Sequence, residues 1–108
     1  MGAVAGYLTG EPSRHETRSM TDWKALIGEI VVLDLSSPYV YIGILADAQA
    51  DYLVLDSVDA HDLRDSPTTR EKYILNCRLH GVRPNRKRTW VNQREIVGFS
   101  RLDDVVMD

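Results

Sequence analysis

The side chains best placed for chemistry lie in the second half of the chain, in the run "GVRPNRKRTWVNQRE". Arg83, Arg86, Lys87 and Arg88 fall within six residues, Arg78 precedes them, Arg94 follows, and the aromatic residues Tyr73 and Trp90 lie near in sequence. Cationic side chains neutralise phosphates and release counterions, and an aromatic ring stacks on a base, so this pattern suits single-stranded nucleic acid. Pro84 and Asn85 are expected to hold the run out as a loop. The same run also suits a solvated loop, or a partner for acidic residues elsewhere in the chain.

A second cluster, "DSVDAHDLRD", contains Asp56, Asp59, His61, Asp62 and Asp65. Aspartate and histidine together bind divalent metals or share a proton. The spacing fits neither an EF-hand loop nor a zinc pattern, so a polar turn capping the next segment is the expectation, and no metal is assigned. His80, just before Gly81, is expected near a helix C-terminus, where a cation is favoured. Cys77 is read as a core residue on an apolar helix face. The chain has no GxSxG, P-loop or GxGxxG motif, and no enzyme activity or cofactor is expected.

These residues are positioned by a chain of 108 residues, a length that suits one domain with a modest core. Hydrophobic residues make up 44% and charged residues 27%, both ordinary for a globular chain. The apolar runs are far shorter than the roughly 20 residues a membrane helix needs. The start "MGAVAGYLTGEPSRHE" has no basic n-region and makes a poor signal peptide. With a lone cysteine, a reducing, cytoplasmic setting is the default expectation.

The net charge of −3 is unevenly spread. Glu29 to Asp62 carries seven acidic residues and no lysine or arginine, whereas Arg64 to Arg101 carries ten basic residues against Asp65, Glu71 and Glu95. Three arrangements fit: a basic face for nucleic acid or an acidic partner, two halves that neutralise each other, or subunits meeting head to tail. The overall pI of about 5.5 lacks the strongly basic signature of many nucleic-acid-binding domains.

Residues 1–19 read as a flexible tail, with a translation start at Met20 left open, and residues 20–108 as the folded domain. "MTDWKALIGE" reads as a short helix capped by Thr21 or Asp22, with Trp23 packing it on the domain and Gly28 ending it. Ile30–Leu35, Tyr39–Ala46 and Tyr52–Val58 read as strands, with "DAQA" as the turn between the last two. The long connection 59–87 contains a helix candidate with Ser66 as N-cap, Pro67 at N1 and a capping box over Thr68–Glu71. For residues 69–80 a strand remains open beside a helix, because Tyr73, Leu75, Cys77 and Leu79 alternate. "TWV" and "IVGFSRL" are expected to pair as a final hairpin turned by "NQRE".

Strands two and three are apolar on both faces, unlike a half-buried surface hairpin. In a small closed barrel the second face of strand two (Val40, Ile42, Ile44) must meet a helix or another subunit.

This order, with "YIGIL…DYLVLD" in the middle and "WVNQREIVGFSRL" at the end, resembles the Sm and Sm-like (LSm) family. Gly43-Ile44-Leu45 and Leu53-Val54-Leu55 match its first motif, and Val91 to Ile96 with Val97 its second. The resemblance spans Asp22 to Leu102, excluding the long connection Asp59 to Lys87. It implies a mainly β fold: a five-stranded, strongly bent, SH3-like barrel with an N-terminal helix and, here, a long partly helical insertion between strands 3 and 4. It also implies RNA binding by a ring-shaped homo-oligomer in which strand four of one subunit pairs with strand five of the next.

Trp90, Val91, Ile96, Val97 and Phe99 would then lie in the subunit interface. The family's nucleotide site uses an aspartate and an asparagine at the strand-three turn and an Arg-Gly or Lys-Gly pair in the last hairpin. Here Asn92 and Gln93 stand where that pair would be, and Asp51 and Tyr52 lie nearest the first turn, with no asparagine. The RNA-binding candidates are therefore Arg83, Arg86, Lys87, Arg88, Arg94, Asn92, Asp51 and Tyr52. A structural assembly module that binds no nucleic acid, and a monomeric SH3-like adaptor for peptides, are the alternatives.

Overall fold

The computed structural model describes residues 23–107, so the tail, Met20 and the caps expected at Thr21 or Asp22 lie outside the described residues. Residues 23–25 are helical and run into a turn that ends at Gly28. Gly28 has φ +95°, the left-handed region that favours glycine, and its N–H donates to Leu45 O at 2.8 Å.

Five strands follow: β1 (Ile30–Leu35), β2 (Tyr39–Ala48), β3 (Tyr52–Asp62), β4 (Arg86–Asn92) and β5 (Ile96–Arg101). A helix, α1 (Arg70–His80), separates β3 from β4, and single 3-10 turns occupy Leu63–Asp65, Gln93–Glu95 and Leu102–Asp104. The fold is mainly β, as expected, with five antiparallel strands in one sheet in the order β4-β3-β2-β1-β5.

The expected final hairpin is not formed: β4 pairs with β3, and β5 crosses to pair with β1. The sheet's two edge strands are nevertheless joined by only the Gln93–Glu95 turn. In a flat sheet those edges would stand four strand spacings, about 19 Å, apart. Three 3-10 residues rise only about 6 Å, so the sheet must curl to bring its edges together.

Curling gives the sheet an inner and an outer face, each with its own core. The inner cluster joins Val31, Leu33, Leu35, Leu45, Leu53, Leu55, Val58 and Val91 with Trp23. The outer cluster joins Val32, Val40 and Ile42 with Ile74 and Cys77 of α1 and with Leu102. A helix of the same chain therefore covers the second face of β2 over Val40 and Ile42, both fully buried, while Ile44 stays partly open at 37% exposure.

β3 changes faces at a bulge. Between the pairs Ile42↔Asp59 and Ile44↔Asp56, β3 has one residue more than β2. Ser57 takes up the extra residue at φ +51°, and Gly43 lies opposite. A Cβ on Gly43 would come within 3.1 Å of Asp56 O and 3.2 Å of Val58 Cα, so the two backbones pass at a separation that suits glycine. The extra residue returns Val58 to the inner face and turns Asp59 outward towards α1, because a one-residue slip exchanges the faces of a strand.

Several expected boundaries move, among them the end of β2, at Ala48 rather than Ala46. β3 runs to Asp62 and β4 starts at Arg86, so the connection is 63–85 rather than 59–87. Residues 70–80 form a helix, which settles the alternative of a strand. Its N-cap is Thr69, whose hydroxyl accepts from Lys72 N at 3.2 Å, whereas Ser66 Oγ accepts from Thr68 N. Gly81 ends the helix as expected, at φ +93°, its N–H bonded to Cys77 O.

Candidate nucleic-acid interface

The eight RNA-binding candidates fall into two groups at opposite ends of β4. Arg83 lies in the connection before it, and Arg86, Lys87 and Arg88 form the start of the strand rather than a loop. Asn85 does not project. Its side chain accepts from Ala60 N at 3.1 Å and donates to Ala60 O at 3.0 Å, while its own N–H bonds Val58 O. These bonds clasp the entrance to β4 onto β3.

Arg88 stands directly across from Asp56 and grips it with two hydrogen bonds, Nε to Oδ1 at 2.6 Å and Nη2 to Oδ2 at 3.1 Å. This grip holds the Asp56 carboxyl below its usual range and the Arg88 guanidinium above its own. Arg70 reaches Asp34 at 3.2 Å in the same way, from the basic half of the chain to the acidic half. The charge split is thus used partly within the chain. Arg83, Arg86 and Lys87 are exposed and form no ion pair among the described residues.

At the far end of β4, six residues or roughly 20 Å along the strand from Arg86, the turn between β2 and β3 meets the turn after β4. Tyr52 pairs with Asn92, Gln93 N donates to Asp51 O at 2.9 Å, and Gln93 Nε2 donates to Gln49 O at 2.7 Å. Asn92 Oδ1 accepts from Arg94 N at 2.9 Å and so caps the short turn. Asp51, Tyr52, Asn92 and Arg94 are therefore neighbours, and Tyr52 is 42% exposed. Gln93 is the stitch that holds them together.

The expected interface residues divide as well. Trp90 (54% exposed), Val97 (70%) and Phe99 (43%) present apolar surface at the two sheet edges, and Phe99 lies on Trp23 with ring centroids 4.2 Å apart. Val91 is instead a core residue, 3% exposed, and Ile96 is half-buried against the same inner cluster. Among the described residues, the outer edges of β4 and β5 have no strand partner.

The polar turn expected around Asp59 and His61 is strand. Asp59 is buried and accepts a hydrogen bond from the Tyr73 hydroxyl of α1, and the Tyr73 ring stacks on His61 with centroids 3.8 Å apart and planes 8° from parallel. Burial holds the Asp59 carboxyl above its usual range, against the lowering effect of His61. The one sequence signal for this contact is Tyr73 at the helical spacing of Ile74 and Cys77. Burial also pushes the Cys77 thiol up to about 11, which suits a core residue and not a nucleophile. No group of three or more His, Cys, Asp or Glu able to hold a metal occurs among the described residues, and no helix there is long and apolar enough to cross a membrane.

No protein-family model and no curated protein matches the chain. Among solved structures it is similar to a chain in the crystal structure of the NatC complex bound to CoA, at 17% identity over 70% of this chain and 78% of that one, with a TM-score of 0.47.

Proposed function

We propose that this chain is an Sm-like barrel protein that assembles into a ring through its two open strand edges, β4 of one copy pairing with β5 of the next. The observation that carries this reading is the sheet order. It leaves β4 and β5 open at the two ends, with Trp90, Val97 and Phe99 exposed beside them. Unpaired strand edges with apolar neighbours invite association, and a closed ring uses every edge. The role is structural, without catalysis. Size-exclusion chromatography with light scattering tests it, and a monomer at micromolar concentration contradicts it.

A second reading, in which the ring binds RNA, is favoured by the gathering of Asp51, Tyr52, Asn92 and Arg94 at one end of the curled sheet. Tyr52 offers a stacking face and Arg94 a cation, the two elements of single-strand recognition. Arg83, Arg86 and Lys87 would supply a separate electrostatic contact on the opposite end, and Arg88 is already bound to Asp56. Fluorescence anisotropy with U-rich, A-rich and mixed RNAs across a salt series tests this reading. Submicromolar binding that falls with salt and is weakened by Tyr52→Ala supports it, and no binding at low salt ends it.

A further inference from the structure

A cavity of about 380 Å³ lies on the outer face of the sheet, between the β2–β3 bulge, the last turn of α1 and the 102–104 turn. It belongs neither to the strand edges nor to either group of RNA candidates. Its size falls in the range of about 300–1,000 Å³ usual for small-molecule sites.

Three features mark it as more than a packing gap. Ile30, Ile44 and Leu102 give it an apolar wall, and Ile30 and Ile44 are unusually open for isoleucines at 39% and 37% exposure. At the bulge, Gly43 lets β2 pass close to the β3 backbone, and Ser57, which lines the cavity, is held at φ +51°, a strained conformation of the kind found at binding sites. Finally, Arg78 lines the cavity and forms no ion pair among the described residues. A guanidinium without a counter-charge beside an apolar wall is a ready partner for a carboxylate.

We propose that this cavity binds a small monocarboxylate with an apolar body, its carboxylate on the Arg78 guanidinium and its hydrocarbon part against Ile30, Ile44 and Leu102. The planar guanidinium matches a carboxylate in shape and charge.

The test is calorimetric titration of the full chain with hexanoate, hexanol and hexylamine. Hexanoate is expected to bind at least about tenfold more tightly than hexanol, the worth of one charge-assisted hydrogen bond, and hexylamine not at all. Arg78→Met keeps the hydrocarbon packing and should bring hexanoate down to the level of hexanol. In the unsubstituted protein, intermolecular NOEs should run from the ligand methylenes to the methyl groups of Ile30, Ile44 and Leu102, so the assignment holds even if Arg78→Met fails to fold. Absence of hexanoate binding, equal affinity for hexanol, or NOEs to other residues overturns the proposal.

Discussion

Replacing Ile74 by alanine tests whether α1 is the true cover of the sheet's outer face. Ile74 is 6% exposed and packs with Val32, Val40, Ile42 and Leu102. The substitution removes three buried carbons, about 2.4 kcal/mol at roughly 0.8 kcal/mol each. The cavity left behind brings the expected loss to about 2.5–4 kcal/mol, inside the ~2–5 kcal/mol seen for such truncations. Against a typical total of about 5–15 kcal/mol this is a large fraction. For a domain of this size it lowers Tm by roughly 10–25 °C.

Urea unfolding followed by tryptophan fluorescence measures the effect. Leu79→Ala is the control, since Leu79 is on the same helix but 53% exposed. Its expected cost is below about 1 kcal/mol. If the two variants lose the same stability, α1 does not cover the outer face, and Val40 and Ile42 must be protected by something else.

Other expectations follow from the electrostatics and burial. Asp59 has a raised pKa in the folded protein, so its contribution is fully present below its ordinary value of 3.8 and is lost as pH rises through the raised value. Over that interval the wild type should lose stability relative to Asp59→Asn, measured by thermal melts at a series of pH values, and parallel curves would contradict the burial argument. Asp56 and Asp62 act in the opposite direction, with stability lost only as pH falls below 3.8. Cys77, buried and with its thiol near 11, should react with Ellman's reagent at pH 8 only after urea unfolds the chain, and fast reaction in the native protein would refute its placement. If RNA binds, Arg86→Glu with Lys87→Glu should flatten the log–log salt dependence by about 0.7 for each phosphate no longer neutralised, whereas Arg88→Gln, at a position already committed to Asp56, should alter it little.

Much of the sheet was legible because β-branched runs such as "IVVLDL" and "YVYIGIL" admit few other conformations. The doubly apolar β2 also announced that something covers its outer face. The end of β3 was not legible. Asp59, His61 and Asp62 look like a turn until Tyr73 arrives from α1 to bond one and stack on another. Nor does composition reveal the Ser57 bulge, which decides the face on which Asp59 falls. The start of β4 was hidden for a related reason. "RKR" reads as a loop, yet its outer positions are open to water and Arg88 is satisfied by Asp56 on the neighbouring strand. The splitting of the RNA candidates was beyond reach, because nearness in sequence along a strand is distance in space.

Light scattering on the eluting peak decides whether the open edges assemble. A ring gives a mass several times the 12.2 kDa of one chain at micromolar concentration, falling to that of a monomer in Val97→Asp, where a charge replaces the most exposed apolar residue on the β5 edge. A wild-type monomer, or an assembly that Val97→Asp leaves intact, would contradict the ring.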